Sequence, residues 1–121
     1  LPRVATPLVP LLAAAAAGGL GETAVGLAEE RLVGVVIASR GYPDTADVGR
    51  EISGLTEAEA QGCVVCHAGT RLEAGTLVTA GGRVLTVVGR GASFADAIDQ
   101  AYRGVRCIRF DGMQYRRDIG R

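Results

Sequence analysis

Two strings, read together, decide the fold: Arg83-Val84-Leu85-Thr86-Val87-Val88 and Ser93-Phe94-Ala95-Asp96, five residues further on. The first is short, β-branched and apolar, the pattern of a strand with at least one buried face. The second opens a helix. Ser93 can accept from the backbone three residues on, and Phe94, Ala97, Ile98, Ala101, Tyr102 and Val105 then fall on one face. Upstream, Leu32-Val33-Gly34-Val35-Val36-Ile37-Ala38 reads as another buried strand, and Cys63 to Ala68 as a third. Leu77-Val78-Thr79 and Arg83 to Val88 flank Ala80-Gly81-Gly82, which predicts a hairpin with a Gly-Gly turn. Thr56 to Gln61 predicts one helical turn capped by Thr56. Ile108 to Phe110 reads as a last strand, turned by Asp111-Gly112 into Met113 to Ile119. The order is that of an α+β fold: a small, mainly antiparallel β-sheet with one N-terminal and one later helix.

The chain starts at Leu1 rather than Met, which predicts a processed product or a piece of something longer. Leu8 to Leu20 is apolar but too short to span a bilayer. It predicts a helix with Thr6 as N-cap, Pro7 at the first position and Gly18 as stop. A signal peptide is the rival reading, with Arg3 in front and Ala15-Ala16-Ala17 as cleavage site. The predicted organisation is one domain over 1–121, with a leading helix and connector over 1–31 and a β-rich body over 32–121.

Composition narrows the chemistry. In 121 residues, 48% are hydrophobic and 21% charged, a globular balance. Thirteen basic residues, all Arg, cancel thirteen acidic ones. That argues against binding a nucleic acid or another polyanion through bulk charge. With no Lys, Schiff-base chemistry and the usual phosphate-binding lysine are excluded. Three cysteines form no disulfide framework, so a reducing compartment is expected.

Cys63-Val64-Val65-Cys66-His67 matches C-x-x-C-H, the covalent haem attachment pattern, with Met113 available as a distal ligand. A c-type haem protein is therefore one reading. A zinc site that adds Cys107 is another, although neighbours Cys66 and His67 point to opposite faces of a strand. The plain reading is two cysteines packed as small hydrophobes. Gly81-Gly82-Arg83 can cradle a carboxylate or phosphate, since positive φ at both glycines would free two N–H groups beside a guanidinium.

Several strings in register carry a resemblance. Val35-Val36-Ile37-Ala38-Ser39-Arg40-Gly41-Tyr42-Pro43, His67-Ala68-Gly69-Thr70, Gly81-Gly82-Arg83-Val84-Leu85 and Phe110-Asp111-Gly112-Met113-Gln114-Tyr115-Arg116-Arg117-Asp118-Ile119-Gly120 resemble segments of the phosphoribosylamine–glycine ligase family, as does Leu1-Pro2-Arg3. The resemblance covers the C-terminal domain of that ATP-grasp enzyme, which is similar to the small antiparallel domain of biotin carboxylase. It implies a part in joining glycine to phosphoribosylamine, in purine biosynthesis, with ATP hydrolysed to ADP and phosphate.

ATP and Mg²⁺ would then belong to an ATP-grasp core absent from these residues, and this chain alone would bind no cofactor and hold no catalytic residue. The expected partners are the remainder of the ligase polypeptide or a larger assembly, with glycine and phosphoribosylamine as substrates. No nucleic acid and no membrane is expected, and the location is cytoplasmic or organellar. The resemblance makes Cys63 and Cys66 core substitutions. The candidate substrate-binding residues are Arg83, Gly81, Gly82, His67, Gly69, Thr70 and Arg116. Arg83 leads them, and in an extended segment only one of Arg116 and Arg117 can face a site. The alternative is a stand-alone binding or structural module that has lost ligase activity.

Overall fold

A computed structural model describes residues 1–21 and 23–121. The chain divides into two compact units, Leu1–Glu30 and Arg31–Arg121.

In the first unit, α1 spans Leu8–Ala16 and buries none of its residues. Thr6 does not cap it. Its hydroxyl accepts instead from Gly26 N–H at 2.8 Å, beside an antiparallel bridge between Val4 and Leu27. The helix ends as the sequence predicts. Gly18 takes φ 69°, and the Gly18 and Gly19 N–H groups donate back to the Ala15 and Ala14 carbonyls.

The second unit is built on a three-stranded antiparallel sheet with β5 (Arg83–Gly91) central, β1 (Arg31–Ala38) on one side and β2 (Val64–His67) on the other. Directly opposed residues share a face. Val33, Val35 and Ile37 lie opposite Gly89, Val87 and Leu85, and all six are buried. The other face is partly open, with Val36 40% exposed, so β1 alternates rather than being buried on both sides.

The 14-residue helix α3 (Phe94–Cys107) closes the buried face with Ala97, Ile98, Ala101, Tyr102, Gly104 and Val105. Ser93 and Asp96 form a reciprocal capping box at its start. Phe94 departs from the predicted face. It is 60% exposed, with the Arg31 guanidinium 5.9 Å from its ring centroid. The short helix α2 (Leu55–Ala60) starts one residue before Thr56, after Gly54 in the left-handed region, so Thr56 is no cap. A side chain at Gly54 would collide with the Cys107 carbonyl.

The predicted Gly-Gly hairpin does not form. β4 (Thr76–Thr79) pairs with β3 (Thr70–Glu73) in a separate two-stranded ribbon, turned by Ala74-Gly75, both at positive φ. Gly69 is the cause. Its backbone bonds to Arg83 O and Ala80 N at 2.8 Å each, and a Cβ there would lie 2.6 Å from Arg83 O and 2.9 Å from Gly81 Cα. The chain at Gly69 thus passes between the two segments that would have paired. Ala80-Gly81-Gly82 becomes a crossing between sheets, and neither glycine adopts positive φ. Ile108 to Phe110 and Met113 to Ile119 form single bridges, Ser53 with Arg109 and Ala38 with Gln114, rather than strands.

Candidate functional site

The open end of the β1–β5 pair carries a groove of about 500 Å³. Its lining comes from Val36 and Ala38 of β1, Arg83 of β5, Tyr42, and Gln114, Tyr115 and Arg116 of the C-terminal segment. A register shift between Ile37 and Ala38 places Arg83 opposite Ala38. Ala38 then exchanges two backbone hydrogen bonds with Gln114, at 2.8 and 2.9 Å, which fixes the C-terminal segment along the strand end.

Gln114 locks the next wall. Its Nε2 donates to Ser39 O at 2.8 Å and Tyr42 O at 3.2 Å. The buried Ser39 hydroxyl donates to Gly81 O at 3.1 Å, and Ser39 N–H to Gly82 O at 2.9 Å. The Tyr42 ring lies on Gly82, where a Cβ would come within 2.7 Å of the ring. Tyr102 of α3 completes the frame. Its hydroxyl donates to Arg116 O at 2.9 Å and accepts from Ile119 N–H at 3.1 Å, with the Tyr115 ring 6.4 Å away.

The polar groups of the groove are unequal. Arg116 pairs side-on with Asp118, Nε and Nη2 donating at 2.9 and 2.6 Å, which uses two of its five N–H groups. The pairing holds the Asp118 carboxyl below the usual carboxylate range and raises the Arg116 pKa. Among the described residues the Arg83 side chain makes no hydrogen bond and no ion pair, so its planar fork is available to a ligand. With Arg116 matched by Asp118, the groove keeps one unbalanced positive charge, suited to a single anion.

Of the residues singled out in the sequence, Arg83 and Arg116 share the groove. Gly81 and Gly82 stand behind its wall and offer carbonyls to Ser39. His67, Gly69 and Thr70 are not among the lining residues. The His67 Nδ1 lies 3.0 Å from the Thr70 hydroxyl, and Gly69 serves the crossing of the sheets. Arg117 lines a second cleft, which shares Tyr115 with the groove. Gln114 and Tyr115 were legible only inside the Met113 to Gly120 string, since no side-chain chemistry marks them.

The C-V-V-C-H string does not gather. Cys63 is buried beside Gly104 and donates to Gln100 O at 3.3 Å; burial pushes its thiol pKa up. Cys66 is exposed, contrary to its expected place in the core, because it lies opposite Thr86 on the open face of the sheet. Two thioether bonds to one porphyrin need both sulfurs on one side, and these two are not so placed. Met113 packs against the core. Among the described residues no three His, Cys, Asp or Glu side chains are grouped to hold a metal ion, and no helix is long and apolar enough to cross a membrane.

Residues 32–121 match the family described as phosphoribosylglycinamide synthetase, C domain. The chain is 49% identical over 121 residues to the phosphoribosylamine–glycine ligase of Synechocystis sp., covering 99% of this chain and 29% of that protein. It is 47% identical over 123 residues to the same enzyme of Streptomyces coelicolor, covering 98% and 30%. Over 86 residues it is 46% identical to the human trifunctional purine biosynthetic protein adenosine-3, covering 71% of this chain and 8% of that one. The crystal structure of phosphoribosylamine–glycine ligase from Thermotoga maritima aligns with a TM-score of 0.77 at 36% identity, over 93% of this chain and 27% of that one. The chain thus spans under a third of the length of these ligases.

Proposed function

From the premise that the chain belongs to the family of phosphoribosylglycinamide synthetase C domains, we propose that it is the C-terminal domain of a ligase joining glycine to 5-phosphoribosylamine in purine biosynthesis, and that it is not catalytic alone. The carrying observation is the groove. It brings Arg83 of the Gly-Gly-Arg-Val-Leu string and Arg116 of the Gln-Tyr-Arg-Arg string to one place, although they are far apart in sequence.

In this reading Arg83 grips the carboxylate or phosphate of a substrate through its free fork, and Arg116, oriented by Asp118, adds its remaining N–H groups. Tyr42 and Gln114, joined by a hydrogen bond, shape the wall of the groove that the two arginines share. The role is positioning: a substrate held in one orientation is presented to chemistry supplied elsewhere. ATP and Mg²⁺ belong to that other part. The described residues include no grouping fit for a metal ion, and the sequence has no Lys to hold phosphates. The partner is the remainder of a ligase polypeptide, a reading supported by the share of its relatives that this chain spans. A cytoplasmic location accords with three free thiols.

The test exchanges the matching segment of the Synechocystis ligase for this chain and measures ligation with glycine and phosphoribosylamine varied separately. The chimera is expected to be active. Arg83→Lys, which keeps the charge and loses the fork, is expected to lower kcat/KM for one substrate by roughly tenfold to a hundredfold, the scale of one charge-assisted hydrogen bond. Unchanged kinetics for both substrates would make Arg83 structural. Titration of the chain alone with Mg·ATP is expected to show no binding in the Arg83–Arg116 groove and no turnover, and a micromolar Kd that Arg83→Ala abolishes would overturn the domain assignment.

A further inference from the structure

The thirteen arginines of this chain are balanced by thirteen carboxylates, yet they are not evenly placed. A cleft of about 620 Å³ between the second half of α3 and the C-terminal segment is lined by Arg103, Arg106, Arg117 and Arg121, with Asp99 as its one carboxylate. Among the described residues none of these four guanidinium groups makes an ion pair or a side-chain hydrogen bond. Elsewhere Arg40, Arg50, Arg71 and Arg116 each pair with an acid.

Helix-end electrostatics account for part of this, since Arg106 sits in the last turn of α3, where the helix dipole favours a cation. They do not account for Arg117 and Arg121, which arrive from another segment. That segment is held in place. The Tyr102 hydroxyl bonds to Arg116 O and Ile119 N–H on either side of Arg117. Gly120, at φ 80° and seated on Ile98, turns the chain so that Arg121 N–H meets Asp118 O at 3.3 Å. The fold therefore fixes like charges beside one another, a repulsion that a bound anion relieves.

We propose that this cleft is a second anion site, distinct from the Arg83–Arg116 groove, for a small ion carrying two or more phosphate charges. Four guanidinium forks match phosphate oxygens geometrically, and Asp99 is the one side-chain carboxylate set against them in the lining. Two tyrosines also line the cleft, but Tyr102 is only 8% exposed and Tyr115 is half-buried with its ring 6.4 Å from that of Tyr102, so the four guanidinium groups dominate the lining and the site reads phosphate before a base. The shared chemistry is a diphosphate, free or on a nucleotide. The site does not depend on the ligase assignment.

The experiment is an amide NMR titration of the chain at low salt with inorganic pyrophosphate, orthophosphate and ADP in parallel. Pyrophosphate is expected to shift amides of 99–106 and 115–121, to bind more tightly than orthophosphate, and to weaken as salt rises. Arg103→Glu and Arg117→Glu are each expected to weaken it by about tenfold or more. Arg106→Gln, a milder change, gives the same reading should a charge reversal fail to fold. Arg83→Ala is expected to leave it unchanged. ADP binding like pyrophosphate marks the diphosphate as the recognised unit, and clearly tighter ADP binding overturns the phosphate-only reading. Absence of shifts, shifts centred on Arg83 and Arg116, or unchanged affinity in the Arg103 and Arg117 variants would overturn the proposal.

Discussion

Gly89→Ala is expected to be among the most damaging single-methyl changes in this chain. A Cβ at Gly89 would stand 2.3 Å from both Ala97 O and Ala101 N of α3, and 2.9 Å from Ala101 Cα. The atoms in the way are helix backbone, so no side chain can swing aside. Restoring ordinary contact requires α3 to recede from β5 by about 1 Å, and a gap of that size forfeits up to about half of the dispersion well for each contact it opens. Six buried residues of α3 share that loss. Overpacking of this kind costs about 1–3 kcal/mol, and the backbone obstruction puts Gly89 at the upper end. Alanine recovers at most about 1 kcal/mol by restricting the unfolded chain. The net loss is about 2–3 kcal/mol, a fall in Tm of roughly 10–20 °C for a unit of this size.

Thermal and urea unfolding followed by circular dichroism read this directly, with Gly34→Ala as the control. Gly34 lies in the neighbouring strand, but its Cβ would meet only methyl carbons of Thr86 and Val88, at 3.3 and 3.8 Å. Its cost is expected to stay within about 0.5 kcal/mol of zero. Equal effects at Gly89 and Gly34 would mean that α3 is not seated on the β5 backbone, and the packing argument would fail.

Alkylation of the native chain with iodoacetamide, read by mass spectrometry, is expected to label Cys66 readily and Cys63 only on unfolding, since burial both hides the Cys63 thiol and raises its pKa. Equal rates would contradict the placement of Cys63 against α3. Ser93→Ala is expected to cost stability at neutral pH and progressively less as the solution is acidified. Hydrogen bonds from the Ser93 side chain and backbone lower the Asp96 pKa in the folded chain, so the capping box stabilises fully above the unfolded Asp value. That stabilisation is lost as pH falls through the lower folded value. The difference in unfolding midpoint between wild type and Ser93→Ala should therefore shrink on acidification, and a difference independent of pH would show that Asp96 takes no part.

The elements with strong local chemistry were legible in the sequence. The Ser93 cap, the apolar face of α3, the β-branched run of β1 and the stop at Gly18 each rest on one residue type doing what its backbone preference dictates. Pairing was not legible. Ala80-Gly81-Gly82 satisfies the rules for a hairpin, and only the distant Gly69, inserting without a side chain, makes it a crossing. The exposure of Cys66 likewise depends on register against Thr86, which composition cannot fix. The two arginines of the groove were visible as residue types. Gln114 was not, because its importance lies in two bonds to carbonyls of a loop more than 70 residues away.

The register of the central strand also dictates the order in which the sheet assembles. Residues of β1 meet partners in β5 that lie between 45 (Ala38 and Arg83) and 60 (Arg31 and Gly91) positions along the chain. The β5–α3 connection, by contrast, is only Ala92 and Ser93. Closing the long loop costs entropy before any contact repays it, whereas strand and following helix meet almost without search. A nucleus of β5 and α3 is therefore expected to form before β1 docks. Refolding should fall in the millisecond-to-second regime of non-local topologies, with core changes in α3 slowing folding and changes in the β3–β4 ribbon chiefly hastening unfolding.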